Sequence, residues 1–318
     1  MTMVKIDYSI VIPVFFNEGC LVPLMQSLDE QVLRMNPGYV CEAVFVDDGS
    51  GDGSLEELLY LHRIYPKIVR VIKLTRNFGQ PAALLAGFEH ARGKCVIAIS
   101  ADGQDPVNLI NDMLKSFFQD GYEVVLCTRS GRDESLFRRM TSRIFYKLMK
   151  KLSFPDMPLE GFDYFLMSER TLSIFLKNID ANPFFQGQIF WMGFKTKFIN
   201  YKRGKRLTGK SRWTFAKKMT YLIDGVLAYS FTPIRLSSIA GIILALLGFL
   251  YALIVFFSKI FLGNPVKGWA PIVIIILLIG GFQLLMQGIT GEYLWRTLSQ
   301  VRNRDKYIID KIYEGDED

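Results

Sequence analysis

The sequence predicts an α/β protein, a doubly wound and mostly parallel sheet, followed by interfacial helices and a helical hairpin of membrane-spanning length. Three observations carry the prediction. Short β-branched runs alternate with helix-like segments through Thr128, oxygen-bearing side chains cluster where several of those runs end, and two long charge-free stretches lie near the carboxyl end. Alternating strands and helices of this kind build parallel sheets covered on both faces, and such sheets collect ligands where the strands end.

Tyr8 to Val14 is the first apolar run, followed by the turn-forming Asn17-Glu18-Gly19 and a helical pattern from Leu21 to Met35. Glu42 to Val46 is the second, ending in the turn-rich Asp47-Asp48-Gly49-Ser50-Gly51-Asp52-Gly53, with a helix predicted over Leu55 to Ile64. Val69 to Leu74 is a third strand and Pro81 to Ala91 a helix. Cys95 to Ser100 is a fourth strand, Leu109 to Phe118 a helix, and Glu123 to Thr128 a fifth strand. The period-2 and continuous apolar runs, bounded by Gly, Asn and Asp, set these limits.

The charge-free stretches are Ser237 to Phe257 and Gly268 to Gly291. A bilayer core takes about 20 apolar residues to cross, so the spans are placed at about 235–260 and 268–291. The short link Ser258 to Lys267 makes them a hairpin with both flanks on one side. Those flanks are basic: Lys202, Arg203, Lys205, Arg206, Lys210, Arg212, Lys217 and Lys218 precede the hairpin, and Arg296, Arg302, Arg304 and Lys306 follow it. The positive-inside rule then predicts a multi-pass protein of the inner (plasma) membrane with its soluble part in the cytoplasm. The expected divisions are a soluble domain 1–208, a loop and interfacial helix 209–233, the hairpin 234–292, and a cytoplasmic tail 293–318. Met1 to Asp7 leads into the first strand without a signal-peptide pattern.

A net charge of +7 concentrated at the membrane end points to anionic lipid headgroups rather than nucleic acid. Cys20, Cys41, Cys95 and Cys127 lack metal-ligand spacing and read as reduced core residues, and His62 and His90 have no catalytic partner in the sequence. Glycine-rich faces in the spans could support self-association into a homo-oligomer.

The chemistry lies in Ile97-Ala98-Ile99-Ser100-Ala101-Asp102-Gly103-Gln104-Asp105-Pro106. Asp102, Gln104 and Asp105 are oxygen ligands suited to a hard divalent cation, which can in turn hold a phosphate. Ser100 stands where an Asp-x-Asp pair would put its first carboxylate. There is no Gly-x-Gly-x-x-Gly after the first strand and no Gly-x-x-x-x-Gly-Lys-Ser/Thr loop, so neither a dinucleotide fold nor a phosphate loop is implied. A nucleotide held through base, ribose and metal-bound diphosphate is.

Pro13-Val14-Phe15-Phe16-Asn17-Glu18, Val46-Asp47-Asp48-Gly49-Ser50, Arg76-Asn77-Phe78-Gly79 and Ala101-Asp102-Gly103-Gln104-Asp105-Pro106 fall in the order and spacing of family 2 glycosyltransferases. With the hairpin, the chain most resembles the polyisoprenyl-phosphate branch of that family. The resemblance implies a GT-A type fold and inverting transfer of a sugar from a nucleotide diphosphate to a polyisoprenyl phosphate. UDP-glucose and undecaprenyl phosphate are the expected substrates, with aminoarabinose, N-acetylhexosamine or GDP-mannose as other donors. It implies that Pro13, Val14, Phe15, Asn17, Glu18, Asp47, Asp48, Gly49, Arg76 and Ala101 hold the nucleotide sugar. Asp102 and Gln104 would bind Mg2+ or Mn2+, with Asp102 also catalytic. Asp163, in Gly161-Phe162-Asp163-Tyr164-Phe165-Leu166, would sit beside the reacting sugar as base or orienting group. Arg206, Lys210 and Arg212, in a segment similar to the family's Arg-x-x-Gly-x-Ser-Lys loop, would bring positive charge to the diphosphate.

The acceptor is an anion already, so the site needs arginines rather than a strong base. Arg129, Arg138, Arg139 and Ser142 are the candidates for its phosphate. Phe137, Met140, Ile144 and Leu148, flanked by Lys147, Lys150 and Lys151, form an apolar stripe suited to the headgroup plane, and Trp213 to Tyr229 reads as a second interfacial helix. Two other readings are open: a processive polysaccharide synthase, against which Gln188-Ile189-Phe190-Trp191 lacks the Arg of a Gln-x-x-Arg-Trp motif, and a non-catalytic nucleotide-binding scaffold, which only Ser100 favours.

Overall fold

Valine, isoleucine and phenylalanine fill the strand positions, and both faces of the resulting sheet have to be covered. The computed structural model describes residues 5–129, 150, 158, 162–180, 183–204, 232–262, 269–302 and 304–315. The chain divides into two compact units, Met1–Leu222 with Arg304–Asp318, and Ile223–Asn303.

The first unit is built on one eight-stranded sheet. Its strands are β1 (Tyr8–Val14), β2 (Cys41–Asp47), β3 (Val69–Leu74), β4 (Cys95–Ala98), β5 (Val124–Arg129), β6 (Tyr164–Ser168), β7 (Thr196–Tyr201) and β8 (Ile309–Tyr313). They lie side by side in the order β7-β5-β6-β4-β1-β2-β3-β8. β1 pairs in parallel with β2 and β4, β2 with β3, and β5 with β7, while β6 runs antiparallel between β4 and β5, and β8 antiparallel to β3.

Helices cover both faces. On one side α1 (Leu21–Leu28, extended by a π turn over Asp29–Leu33), α2 (Ser54–Ile64) and α4 (Leu109–Phe118) bury Leu24, Met25, Leu61, Ile110 and Met113 against Ile10, Ile12 and Phe45. On the other, α3 (Gln80–His90), α5 (Glu169–Lys177) and α6 (Phe185–Trp191) pack Phe88, Phe175 and Ile189 against Val11, Val44 and Phe165. α3 lies so close to β1 that a Cβ at Gly87 would fall 2.2 Å from Val11 Cγ1, which explains the glycine. All four cysteines are buried and unbridged. His62 bonds through Nδ1 to the Val69 carbonyl and His90 to that of Ala86, so both act locally in the fold.

The five strands and four helices expected through Thr128 are present with ends shifted by at most a few residues. β4 stops at Ala98 rather than Ser100, the Ile99 amide making one last bond to the Val11 carbonyl before the chain turns. The sequence pattern does not predict β6, β7, β8, α5 or α6. The expected tail, 293–318, divides between the end of a long helix and β8.

β8 is fastened by charge at the rim where the parallel strands begin. Glu42, on β2, is buried and accepts from the Ser9 hydroxyl at 2.6 Å, the Arg92 amide at 2.6 Å and Arg70 at 2.9 Å. Arg70 and Arg92 both also pair with Glu314, just past β8, at 2.9 and 2.7 Å. Lys73 pairs with Asp310 at 2.6 Å farther along. The residue that follows the helices is thus tied to the first strands of the sheet.

The second unit holds α7 (Thr232–Leu262) and α8 (Trp269–Arg302). Among the described residues Ile234–Ser258, within α7, is long and apolar enough to cross a membrane by length and composition. The segments 137–151 and 213–229, expected as interfacial helices, lie outside the described residues apart from Lys150.

Replacing Arg70 by Met is expected to leave the Glu42 charge buried without its cation, a loss of about 3–5 kcal/mol. Denaturant unfolding of the full-length protein checks this, and Glu42→Gln combined with Arg70→Met should recover much of the loss.

Candidate active site

Sheet topology decides which side chains meet. β1 to β5 and β7 all point the same way, so the residues just past Val14, Asp47, Leu74, Ala98, Arg129 and Tyr201 share one rim. β6 runs the other way, so its start, with Asp163 immediately before it, reaches the same rim. Every candidate residue that is described therefore gathers there: Pro13, Val14, Phe15, Asn17, Glu18, Asp47, Asp48, Gly49, Arg76, Ala101, Asp102, Gln104, Arg129 and Asp163. Arg138, Arg139, Ser142, Arg206, Lys210 and Arg212 lie outside the described residues.

The turns after β1 and β2 are laced together. Asn17 Oδ1 accepts from the Phe15 amide at 2.9 Å, the Phe16 amide donates to Ser50 Oγ at 3.2 Å, and the Asn17 amide donates to Ser54 Oγ at 2.9 Å. Glu18 accepts from the Gly53 amide, and Glu57 on α2 accepts from the Gly19 and Val22 amides at the start of α1. These bonds hold Phe16 at φ 56°, a left-handed conformation that a phenylalanine adopts only when its surroundings dictate it.

Asp47 and Asp48 are neighbours with different employment. Both Asp48 oxygens accept backbone N–H groups, from Phe78 at 2.7 Å and Gly79 at 2.9 Å, at the start of α3. Gly49 makes this approach feasible: its φ is +67°, and a Cβ there would lie 2.6 Å from the Arg76 carbonyl carbon. Arg76 itself lies over the Phe78 ring at 4.0 Å. Asp47 Oδ1 accepts from the Ser50 amide at 3.2 Å, while its buried Oδ2 has no hydrogen-bond partner among the described residues. Burial raises both carboxyls above their usual range.

After β4, Asp102 Oδ1 accepts from the Gln104 amide at 3.2 Å. Asp105 is buried, its Oδ1 taking the Tyr201 hydroxyl at 2.6 Å and Arg203 Nε at 3.1 Å, its Oδ2 without a hydrogen-bond partner among the described residues. Burial raises its pKa as well, with Arg203 and Tyr201 opposing. Among the described residues no three His, Cys, Asp or Glu side chains gather as a metal cage. The donors present instead suit a cation shared with its substrate, since Mg2+ takes one or two carboxylates and completes its shell with water and phosphate oxygens. Asp102 and Asp105, whose Oδ2 has no partner among the described residues, fit that description.

Arg129, expected to face an acceptor phosphate, is buried and donates to Asp163 Oδ2 at 2.6 Å. Burial works most strongly against its charge, but Asp163, Tyr201 and Asp105 together more than offset this and raise its pKa. Gln186 on α6 donates to Asp163 Oδ1 at 3.2 Å and to the Phe162 carbonyl at 2.9 Å. Asp163 is held from both sides yet its side chain is 47% exposed, so it faces the open rim. Gln186, Tyr201 and Arg203 escape the sequence reading. Gln186 carries a signal nonetheless, a polar side chain inside the apolar Phe184-Phe185-Gln186-Gly187, which once buried needs a partner.

A rim at the carboxyl ends of a doubly wound sheet, with carboxylates on the loops after the neighbouring strands β4, β1 and β2, suits a nucleotide-sugar transferase. Residues 9–212 match the Glycosyl transferase family 2 domain, and the chain belongs to that family and is a glycosyltransferase. Two relatives run nearly end to end with it. The uncharacterized glycosyltransferase YkcC of Bacillus subtilis is 36% identical over 97% of this chain and 94% of its own. The SfII prophage-derived bactoprenol glucosyl transferase of Shigella flexneri is 34% identical over 96% of this chain and 98% of its own. Among solved structures, the mannosyltransferase PcManGT of Pyrobaculum calidifontis, in complex with GDP-Man and Mn2+, superposes with a TM-score of 0.50 at 16% identity, covering 73% of this chain and 65% of that one. That likeness supports the GT-A-like fold.

Because burial raises the Asp47 carboxyl, the folded state favours its protonated form and loses stability as pH rises through the raised pKa. Asp47→Asn is expected to raise the melting temperature at neutral pH and to leave it unchanged near pH 3. Thermal melts across pH check both halves.

Proposed function

We propose that the protein transfers glucose, with inversion, from UDP-glucose to undecaprenyl phosphate at the cytoplasmic face of a bacterial inner membrane. One observation carries the reading: a chain that aligns over 96% of its length with a bactoprenol glucosyl transferase keeps Asp47, Asp102 and Asp163 at a single rim. The relative's name supplies the lipid and the sugar, and the rim supplies groups for both substrates.

In this reading Asp47 offers its unpartnered Oδ2 to a base N–H, the exchange that best relieves a buried acceptor. Asp48 fixes the loop from Arg76 to Gly79 around the nucleotide rather than touching metal. Asp102 and Gln104, with Asp105 behind them, hold the diphosphate through a divalent cation. When bound, that cation supplies Lewis-acid stabilisation of the departing diphosphate. Asp163 orients the acceptor and takes any proton it carries, and Arg129 with Gln186 fixes the carboxylate for that task. Arg138, Arg139 and Ser142 are retained for the acceptor phosphate, and Arg206, Lys210 and Arg212 for the diphosphate.

Chain connectivity bears on how such a protein would be attached to the membrane. β8, beyond both long helices, is hydrogen-bonded into the same sheet as β3, so the chain must be on one side of a membrane before α7 and after α8. If α7 crosses, a second crossing has to bring the chain back, and α8 is the segment available. This supports the two-span hairpin.

Full-length protein in detergent, given labelled UDP-glucose, undecaprenyl phosphate and Mg2+, is expected to form a chloroform-soluble labelled product, and chelation should abolish it. Asp102→Ala should lower kcat by about 100-fold or more. No labelled lipid from UDP-glucose, but label from another nucleotide sugar, would keep the reaction class and replace the donor; no lipid product from any donor would overturn the reading.

A further inference from the structure

One charged group at the rim has no part in the proposed reaction. Arg203 follows β7 by two residues, and its guanidinium reaches back over the loop after β4. Nε donates to Asp105 Oδ1 at 3.1 Å, and a terminal nitrogen lies 3.6 Å from Asp102 Oδ2. The neighbouring residues keep it there. Tyr201 donates to the same Asp105 oxygen, the Gly204 amide donates to the Gln104 carbonyl at 2.8 Å, and the Gln104 side-chain amide donates to the Gly204 carbonyl at 3.2 Å. Residues 201–204 are thus stitched to residues 102–105, and the stitching points a permanent cation at the two carboxylates proposed to serve the metal.

We infer that Arg203 is the resident counter-cation of the Asp102–Asp105 pair and that it makes divalent-cation binding depend on the nucleotide diphosphate. The inference rests on the reading of Asp102 as a metal-binding residue. A guanidinium does not lose its proton at any working pH, so a dication approaching Asp102 Oδ2 meets a fixed like charge a few ångströms away. Among the described residues in direct contact, Arg203 offsets one of the two carboxylate charges, which makes the pair a poor home for a divalent ion. A nucleoside diphosphate changes the balance, because its several negative charges give the dication and the guanidinium a partner each. Ser100 makes this balance decisive: an aspartate there would add a third carboxylate and allow the cation to bind without the nucleotide. Metal and nucleotide then strengthen each other's binding by the same factor, as linkage requires.

The test is Mn2+ binding to the full-length protein, followed by electron paramagnetic resonance and calorimetry, with and without UDP. Wild type is expected to bind Mn2+ about 10-fold or more tightly with saturating UDP than without it, inside the usual range for coupled sites. Arg203→Gln should tighten Mn2+ binding to the nucleotide-free protein by roughly 5-fold or more and shrink the UDP effect by the same factor. Arg203→Lys, keeping the charge, should behave as wild type. Unchanged or weaker Mn2+ binding by Arg203→Gln without UDP would overturn the inference. So would wild type binding Mn2+ equally with and without UDP, a result that needs no variant and leaves the reading of the site intact. Wild type that binds neither Mn2+ nor UDP would overturn both.

Discussion

Carboxylates taken out of water are the constraint on which this structure turns. A buried carboxylate is costly unless its oxygens find donors or a cation, and the sheet buries Asp47, Asp48 and Asp105 at one rim. The three are resolved differently. Asp48 is satisfied twice by backbone amides and so belongs to the fold. Asp47 and Asp105 are each satisfied on one oxygen and left open on the other. The open oxygens, one at the end of β2 and one in the loop after β4, are the places where a ligand can make a bond that the described residues do not. Fold stability and ligand affinity are in this sense drawn from the same buried charges.

Strand direction determines what can be added to those carboxylates. A wholly parallel sheet brings only strand ends to the rim. By inserting β6 in reverse between β4 and β5, the fold brings a strand beginning there too, and Asp163 lands beside Arg129. The same device at the far edge has the opposite use. β8 runs antiparallel to β3, so its end returns to the rim where the parallel strands start, and Glu314 meets Arg70 and Arg92 over the buried Glu42. One reversal builds chemistry and the other fastens the chain that returns from the helices.

The amino-terminal half of this arrangement was legible in the sequence because its signals are local. Continuous apolar runs ending in Asp-Gly or Asn-Glu turns name both the strand and the ligand-bearing loop, and Asp47, Asp102 and Asp163 were found that way or by resemblance. What was missed depends on distant partners. Ile309-Asp310-Lys311-Ile312-Tyr313 is too short and too polar to announce a strand, and only pairing with Val71 to Leu74 makes it one. Arg203 was read among the basic residues of the membrane flank, since nothing local distinguishes it from Lys202. Its role follows from β7 lying parallel to β5, which delivers Tyr201 and Arg203 to Asp105. Arg129 reads as an acceptor residue from its type, its place at the end of the fifth strand and the resemblance there to the family's Thr-Arg, and its bond to Asp163 is visible only once β6 is placed.

The turns after β1 and β2 explain why the nucleotide side of the site can be rigid. Their backbone amides are received by side chains of the opposite turn and of α2, with Ser50, Ser54, Asp52 and Glu57 taking those of Phe16, Asn17, Glu18 and Gly19. That lattice holds Phe16 in a conformation it would not choose, so Asp47 is presented without loop ordering on binding. The candidates for the acceptor phosphate come from elsewhere, from the end of β5 and the connection between β5 and β6, and further candidates for the diphosphate from the chain after β7. Asp163 is where the first of these connections rejoins the sheet and Arg203 is where the second leaves it, each ion-paired to a buried partner on a neighbouring strand or loop. These two ion pairs fix the end of one connection and the start of the other against the rim by charge, so the geometry of Asp163 and Arg203 is set within the sheet and its loops.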